Sequence, residues 1–557
     1  MARVRFINEK KEIEVKEGRS IARAAHDAKI ELAMPCRGAG SCGKCLVRVS
    51  DIQAVRNLPA ARSPSREKRN EGMVLACHSL IIDDVDVYTL SPRDDEKNLK
   101  ILESGIRRAI EPKPLISREY KNGKTVFYTS SGILGEEDAD TTGNEMYAIV
   151  ADIGTTTIVC SLISLSDVRE CGCVSMLNPQ CGCALDVIGR IQYCAENEGG
   201  LEHLFKEVSD AVDSMTGKLC EQYNVSRNNI YEAVYCGNTT MLHLAVNTDP
   251  YKLGQYPYIS EIKGNEYRSA AQCGLNISPF ARVYLPPVIS SYVGADITAG
   301  ILSCSLDESE KNILFIDIGT NGEMVLAGNG KMTATSTAAG PAFEGMNIEF
   351  GMRAADGAIE SFEITEDYDI KIGTIGEGKP VGICGSALFD IAAQLARTGI
   401  IEKSGKLVKK EKFTGSEKLS RRLTKYSGKA AFEVADGVYL TQLDIRQIQL
   451  AKSAVRAGIE AMLSLNSLKP TDLDRVYIAG SFGFHLKVSS LILTGIVPAS
   501  LEEKIEFAGN TSKTGGIAFL ADPSLRDKIA GEAAAVRAVD LSQYPHFEEM
   551  FVKYMSF

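Results

Sequence analysis

The sequence predicts an α+β domain at the amino-terminal end, followed by a larger α/β domain that is internally duplicated. Three observations carry that expectation. Four cysteines near the start, Cys36, Cys42, Cys45 and Cys77, fall in a glycine-rich pattern that burial does not explain. The turn Asp-x-Gly-Thr occurs twice at the ends of apolar runs, with its aspartates 165 residues apart, and a third glycine-bounded turn follows 163 residues after the second. At 557 residues the chain is also too long for one core, since domains usually take about 100 to 200 residues each.

Composition narrows the function classes. Hydrophobic residues at 44% and charged residues at 24% are globular values, which exclude fibrous and wholly disordered readings. The 62 basic and 72 acidic side chains leave a net charge of −10, a surface that disfavours nucleic acid and anionic membranes as partners. The balance is uneven: residues 1–92 hold 16 basic and 12 acidic side chains and are net positive, while the remainder is strongly negative. The start, MARVRFINEK, lacks the apolar core of a signal peptide, and no run reaches the roughly 18 apolar residues of a membrane helix. A cytoplasmic location is therefore expected. There thiols stay reduced, so the fifteen cysteines point to metal ligation, redox chemistry or burial rather than disulfides.

In the amino-terminal part, residues 4–6 and 12–15 read as a strand hairpin around a polar turn. Ser20 is placed to cap a helix carrying Ile21, Ala24 and Ala25, and residues 46–49 and 85–88 read as returning strands. The cysteine run is Cys-x5-Cys-x2-Cys with a fourth cysteine 32 residues on. An iron–sulfur cluster needs four converging thiolates, and Gly38, Gly40 and Gly43 let the backbone wrap around one. A zinc site is the competing reading, but its second Cys-x2-Cys pair is missing. Taken together, residues 1–92 resemble the β-grasp [2Fe–2S] ferredoxins, with one residue more between the first two ligands than the plant-type spacing.

Residues 93–146 are polar and uneven and read as a linker with at most a small strand pair, either a passive tether or a swinging arm. Residues 147–557 form the duplicated domain. Its first turn presents Asp152, Gly154, Thr155, Thr156 and Thr157, and its second presents Asp317, Gly319, Thr320, Asn321 and Gly322. Glycine lets backbone amides approach phosphate oxygens, Thr and Asn side chains donate further hydrogen bonds, and the aspartate can hold Mg2+. The third turn, at Gly480, Ser481 and Gly483, suits a flat ring or a sugar. In this order the three turns resemble the actin, sugar kinase and Hsp70 ATPase superfamily. That resemblance implies a two-lobed, duplicated ribonuclease H-like α/β fold with ATP and Mg2+ in the cleft. Gly237, Asn238 and Thr239 are further candidates for the nucleotide. Asp296 is a candidate base for the attacking water or equally a helix cap. Residues 336–345 and 382–390 read either as loops meeting at the cleft, with Glu344 exposed there, or as tight turns between packed elements.

A ferredoxin-like domain joined to such an ATPase is an uncommon pairing. With CRGAGSCGKC, ADIGTTT, NPQCGCALDVIGRI, CGNTTM, FIDIGTNGE and AGSFG, the chain is similar to the reductive activators of corrinoid enzymes over about nine-tenths of its length. The resemblance implies that ATP hydrolysis drives one electron from a [2Fe–2S] cluster to cob(II)amide, restoring the cob(I)amide used in methyl transfer. The implied partners are the corrinoid protein of a methyltransferase system and an upstream electron donor, with a homodimer as the candidate assembly. Larger members of the family carry an extra domain before the first turn, where this chain has only about fifty residues. Two other readings stay open: an electron donor to another low-potential enzyme, and a non-catalytic ATP-dependent redox sensor. Cys171, Cys173, Cys181, Cys183 and Cys194 lie within 24 residues and could hold a second metal, form a thiol relay or simply pack. Cys160, Cys220, Cys236, Cys273, Cys304 and Cys384 read as structural.

Overall fold

A computed structural model of the chain describes residues 1–28, 30, 32, 40, 45–60, 63–64, 66–89, 104–376, 378–480 and 486–557. It divides into two compact units, one made of Met1–Asn98 with Pro179–Tyr193, the other of Leu99–Asn178 with Cys194–Phe557. Among the described residues no helix is long and apolar enough to cross a membrane.

The first unit is built on a five-stranded mixed sheet in the order Lys11–Val15, Ala2–Phe6, Val85–Thr89, Leu46–Val49, Met73–Leu75. Period-two alternation explains its first strand: Ala2, Val4 and Phe6 are buried, while Arg3 and Arg5 face out. Ala2–Phe6 runs antiparallel to Lys11–Val15 and parallel to Val85–Thr89. The helix Ile21–Asp27 lays Ile21, Ala24 and Ala25 into this core, and Ser20 Oγ accepts from the Arg23 amide at 3.2 Å, as the sequence leads one to expect of an N-cap.

The Pro179–Tyr193 segment holds Cys181 and Cys183, whereas Cys171, Cys173 and Cys194 belong to the second unit. The buried Arg190 organises the segment by donating to Ala184 O at 3.1 Å, Gln180 Oε1 at 2.9 Å and Cys181 Sγ at 3.7 Å. Among the described residues no group of three or more His, Cys, Asp or Glu side chains is arranged to hold a metal ion.

The second unit contains the duplication. Tyr147–Ile153 lies antiparallel to Thr157–Ser164, which lies antiparallel to Glu170–Leu177. On its other side it lies parallel to Ile230–Cys236, which is parallel to Arg282–Leu285. The second sheet repeats this pattern with Ile313–Ile318, Gly322–Gly328, Lys331–Thr337, Arg475–Ala479 and Ile505–Gly509. Each central strand is apolar and buried because both of its faces are covered, and each Asp-x-Gly-Thr aspartate is its penultimate residue.

Residues 104–146 are part of this unit and not a passive tether. Ser117–Lys121, Lys124–Thr129 and Gly132–Glu137 form a three-stranded meander, one strand more than the pair expected. Phe127 from its middle strand is fully buried against Tyr231, with ring centroids 4.7 Å apart, and Phe280, at 5.2 Å. Upstream, the Ile106 amide bonds Ala508 O at 2.8 Å and Arg108 Nη1 reaches Asp307 Oδ1 at 2.8 Å. The six cysteines read as structural, Cys160, Cys220, Cys236, Cys273, Cys304 and Cys384, are all buried. Burial pushes the thiols of Cys160, Cys273 and Cys304 up to about 12.

Candidate functional site

Two sites emerge, one in each unit. In the first, Cys45 and Cys77, 32 residues apart in sequence, come together with their Sγ atoms in contact at 3.1 Å. Cys45 is 3% exposed, and the bond from Cys77 pulls its thiol down to about 7. Two convergent sulfurs, one with thiolate character, fit half of a four-thiolate ligand set. The Cys45 carbonyl accepts from the Ala76 amide at 2.8 Å, which ties the two ligand segments together. Cys36 and Cys42 lie outside the described residues.

In the second unit the duplicated strands deliver their aspartates to one place. Asp152 Oδ2 accepts from Asn510 Nδ2 at 2.8 Å and Oδ1 from Ser512 Oγ at 2.7 Å. Burial nevertheless pushes its carboxyl up, against those bonds and Lys513. Asp317 is pushed up to about 7, by burial first and then by the Asp152 charge. Asp296 rises to about 8 through burial, then Asp317, with Asp152 a smaller cause. Glu323, paired across the ladder with Asp317, lies well above the carboxylate range through burial, Asp296 and Asp317. These carboxyls raise one another's proton affinity, and among the described residues they form no group arranged to hold a metal ion. Carboxylates are ligands Mg2+ accepts, and because it keeps several waters one or two of them suffice.

The turns fold as the sequence leads one to expect. The Gly154 amide bonds Thr157 O at 2.9 Å and the Gly319 amide bonds Asn321 O at 2.9 Å. Asn238 donates from Nδ2 to Thr155 Oγ1 at 3.0 Å, while its Oδ1 accepts from the Met241 amide at 3.0 Å and caps the helix Thr239–Ala245. Thr239 Oγ1 donates to Ser290 O at 2.7 Å, and the amides of Ala295 and Asp296 bond Gly237 O at 2.9 and 3.2 Å. Asp296 therefore reaches the same cleft. Its helix, Ala295–Ser303, is capped by Gly294, so Asp296 is a first-turn residue and not the cap.

Gly480 follows the strand Arg475–Ala479 with φ of +95°, and a Cβ there would lie 2.7 Å from Asp317 Oδ1 and 2.6 Å from Ile318 O. Only glycine allows the third turn to lie against the second. Ser481 and Gly483 fall outside the described residues.

Glu344 joins the two turns. Its Oε2 accepts from Thr156 Oγ1 and its Oε1 from Thr320 Oγ1, each at 2.5 Å. The sequence marked Glu344 as exposed near the cleft but not as this bridge. Asn510, Ser512 and Glu323 were missed altogether. A signal for Asn510 existed: the tripeptide Gly-Asn-Thr at 237–239 recurs at 509–511, and both asparagines cap helices.

The class defined by fold and site is a [2Fe–2S] ferredoxin-type domain joined to an actin-like domain of the ASKHA type. Family models agree: a 2Fe-2S iron-sulfur cluster binding domain matches residues 5–81, a RACo middle region 147–309, and the C-terminal ASKHA domain of RACo 311–557. A solved structure titled "Reductive activator for corrinoid,iron-sulfur protein" is 30% identical, covers 100% of this chain and 98% of that one, and superposes with a TM-score of 0.73. The chain belongs to the family of reductive activators of corrinoid proteins. The corrinoid activation enzyme RamQ of Eubacterium limosum is 28% identical over 99% of this chain and 98% of its own length. The reductase of a methylated amine-specific Co(II) corrinoid protein from Methanosarcina barkeri is 24% identical over 66% of this chain and 68% of its own. The matched middle region begins at residue 147, with the strand that leads into the first turn.

Proposed function

We propose that this chain is an ATP-dependent reductive activator of a corrinoid protein. It passes one electron to cob(II)amide on that partner and regenerates cob(I)amide for methyl transfer, and an upstream donor reloads it. The observation that carries the reading is the union, along a chain similar to a corrinoid activator over its full length, of a ferredoxin-type unit with two Asp-x-Gly-Thr turns linked through Glu344.

Cys36, Cys42, Cys45 and Cys77 are the proposed ligands of the [2Fe–2S] cluster, which when bound supplies one-electron chemistry near about −400 mV for the plant type. In the cleft, Gly154, Gly319 and Gly322 shape the two turns so that the phosphates of ATP can come close, and the side chains of Thr155, Thr156, Thr157, Thr320 and Asn321 bind them. Gly480, Ser481 and Gly483 border its adenosine. Gly237, Asn238 and Thr239 orient the first turn through the Asn238–Thr155 bond. Asp152 and Asp317 would hold Mg2+, which would supply positive charge against the phosphates and against the mutual repulsion of the two carboxyls. Asp296, whose carboxyl burial and then Asp317 push up to about 8, is the candidate to take the proton of the attacking water, its raised proton affinity making the ionised form a stronger base than an ordinary carboxylate.

The test is anaerobic. Reduced protein is mixed with a cob(II)amide protein and the cobalt absorption followed, with and without MgATP. MgATP should increase the extent of cob(I)amide formed. Equal extents in both arms would overturn the proposal.

A further inference from the structure

Thr156 comes from the first duplicated turn, four residues after Asp152, and Thr320 from the second, three residues after Asp317, and each hydroxyl carries a single hydrogen. Both hydrogens are directed at one carboxylate, the Thr156 hydroxyl to Glu344 Oε2 and the Thr320 hydroxyl to Oε1, each at 2.5 Å. A carboxylate that takes one donor from each turn sits where an anionic group bound by both turns would sit. The hydroxyls cannot donate to Glu344 and to a phosphate at once, and the like charges of carboxylate and phosphate repel.

We propose that Glu344 is a clasp occupying the terminal-phosphate position, so that ATP, whose phosphates reach both turns, must displace it, whereas ADP leaves it closed. The inference rests on the nucleotide reading above and adds a residue that discriminates triphosphate from diphosphate. The backbone around Glu344 is pinned. Phe343 is fully buried and stacks on Phe389 with centroids 4.7 Å apart and rings 4° from parallel. Gly345 has φ of +72°, and a Cβ there would come within 2.6 Å of Met352 O. Opening the clasp is therefore a rotation of the Glu344 side chain about its own bonds, and it needs no movement of the segment. When the terminal phosphate departs, the two hydroxyls regain Glu344 as their acceptor, which favours release of the product.

The experiment compares wild type, Glu344→Gln and Glu344→Ala in equilibrium titrations with a non-hydrolysable ATP analogue and with ADP, both with Mg2+. Removing the competing negative charge should tighten the triphosphate analogue on the order of tenfold in both variants, while ADP affinity changes by less than about twofold. A merely structural role would not alter the triphosphate-to-diphosphate ratio. Glu344→Gln keeps the shape of the side chain, so it decides the question even where Glu344→Ala fails to fold. Unchanged or weaker analogue binding in a folded variant, with wild type binding normally, overturns the clasp alone. A wild type that binds neither nucleotide overturns the nucleotide reading and the clasp together.

Discussion

Asp296 and Asp317 show how four acidic residues can share one cleft. Each holds its proton far above the ordinary carboxylate value, near about 8 and about 7, because burial and the neighbouring charges penalise ionisation. In the unfolded chain both revert to about 3.9. The folded state thus binds more protons than the unfolded one between these limits, and stability falls as pH rises through that window. The Asp296 contribution is intact below about pH 4 and lost as pH passes about 8. We expect wild type to lose more melting temperature between pH 5 and pH 8 than Asp296→Asn does, a difference read by thermal denaturation. An equal loss in both proteins would count against the cluster. Beside it, Asn510 both caps its helix and donates to Asp152. Asn510→Ala should cost about 1–3 kcal/mol in denaturant unfolding, and more than Ser512→Ala, because Ser512 gives up a single bond to Asp152 without the loss of a helix cap. ATP turnover should fall in both variants because Asp152 is no longer held in place.

Among the elements, those with strong local signals were legible in the sequence. The alternation in Ala2–Phe6, the Ser20 cap and the two apolar strands ending in Asp-x-Gly-Thr are dictated by nearest neighbours and periodicity, and all are found in the structure. The meander of residues 117–137 was legible only in part, because its exposed outer strands are charged and only Phe127 and Thr125 are fully buried. Its partners, Tyr231 and Phe280, lie roughly a hundred residues or more away in sequence, and local pattern carries no information about them. The same holds for Asn510 and Glu344, whose partners are set by the pairing of distant strands. If the meander is integral to the second unit, Phe127→Ala should destabilise that unit by about 3–5 kcal/mol, the usual cost of emptying a buried aromatic site. Denaturant unfolding followed by tyrosine fluorescence measures this. A tether would yield a change of less than about 0.5 kcal/mol.

At the scale of the whole molecule, the proposed reaction needs two chemistries that occupy separate units, with the proposed cluster ligands in one and the proposed nucleotide turns in the other. Each should then fail without the other failing. Cys77→Ser removes a sulfur that lies 3.1 Å from Cys45 and is expected to abolish the visible iron–sulfur absorption and with it all cobalt reduction. ATP binding should survive, because the carboxylates and threonines of the cleft belong to the second unit. Asp317→Asn is expected to do the reverse, leaving the iron–sulfur spectrum intact while removing a carboxylate proposed to hold Mg2+. Cobalt reduction in that variant should drop to the level wild type reaches without ATP, and no lower. The two variants separate coupling from mere coexistence. If Asp317→Asn reduced cob(II)amide as fully as wild type in the presence of MgATP, the second unit would not drive the electron, and the nucleotide would serve another purpose than activation.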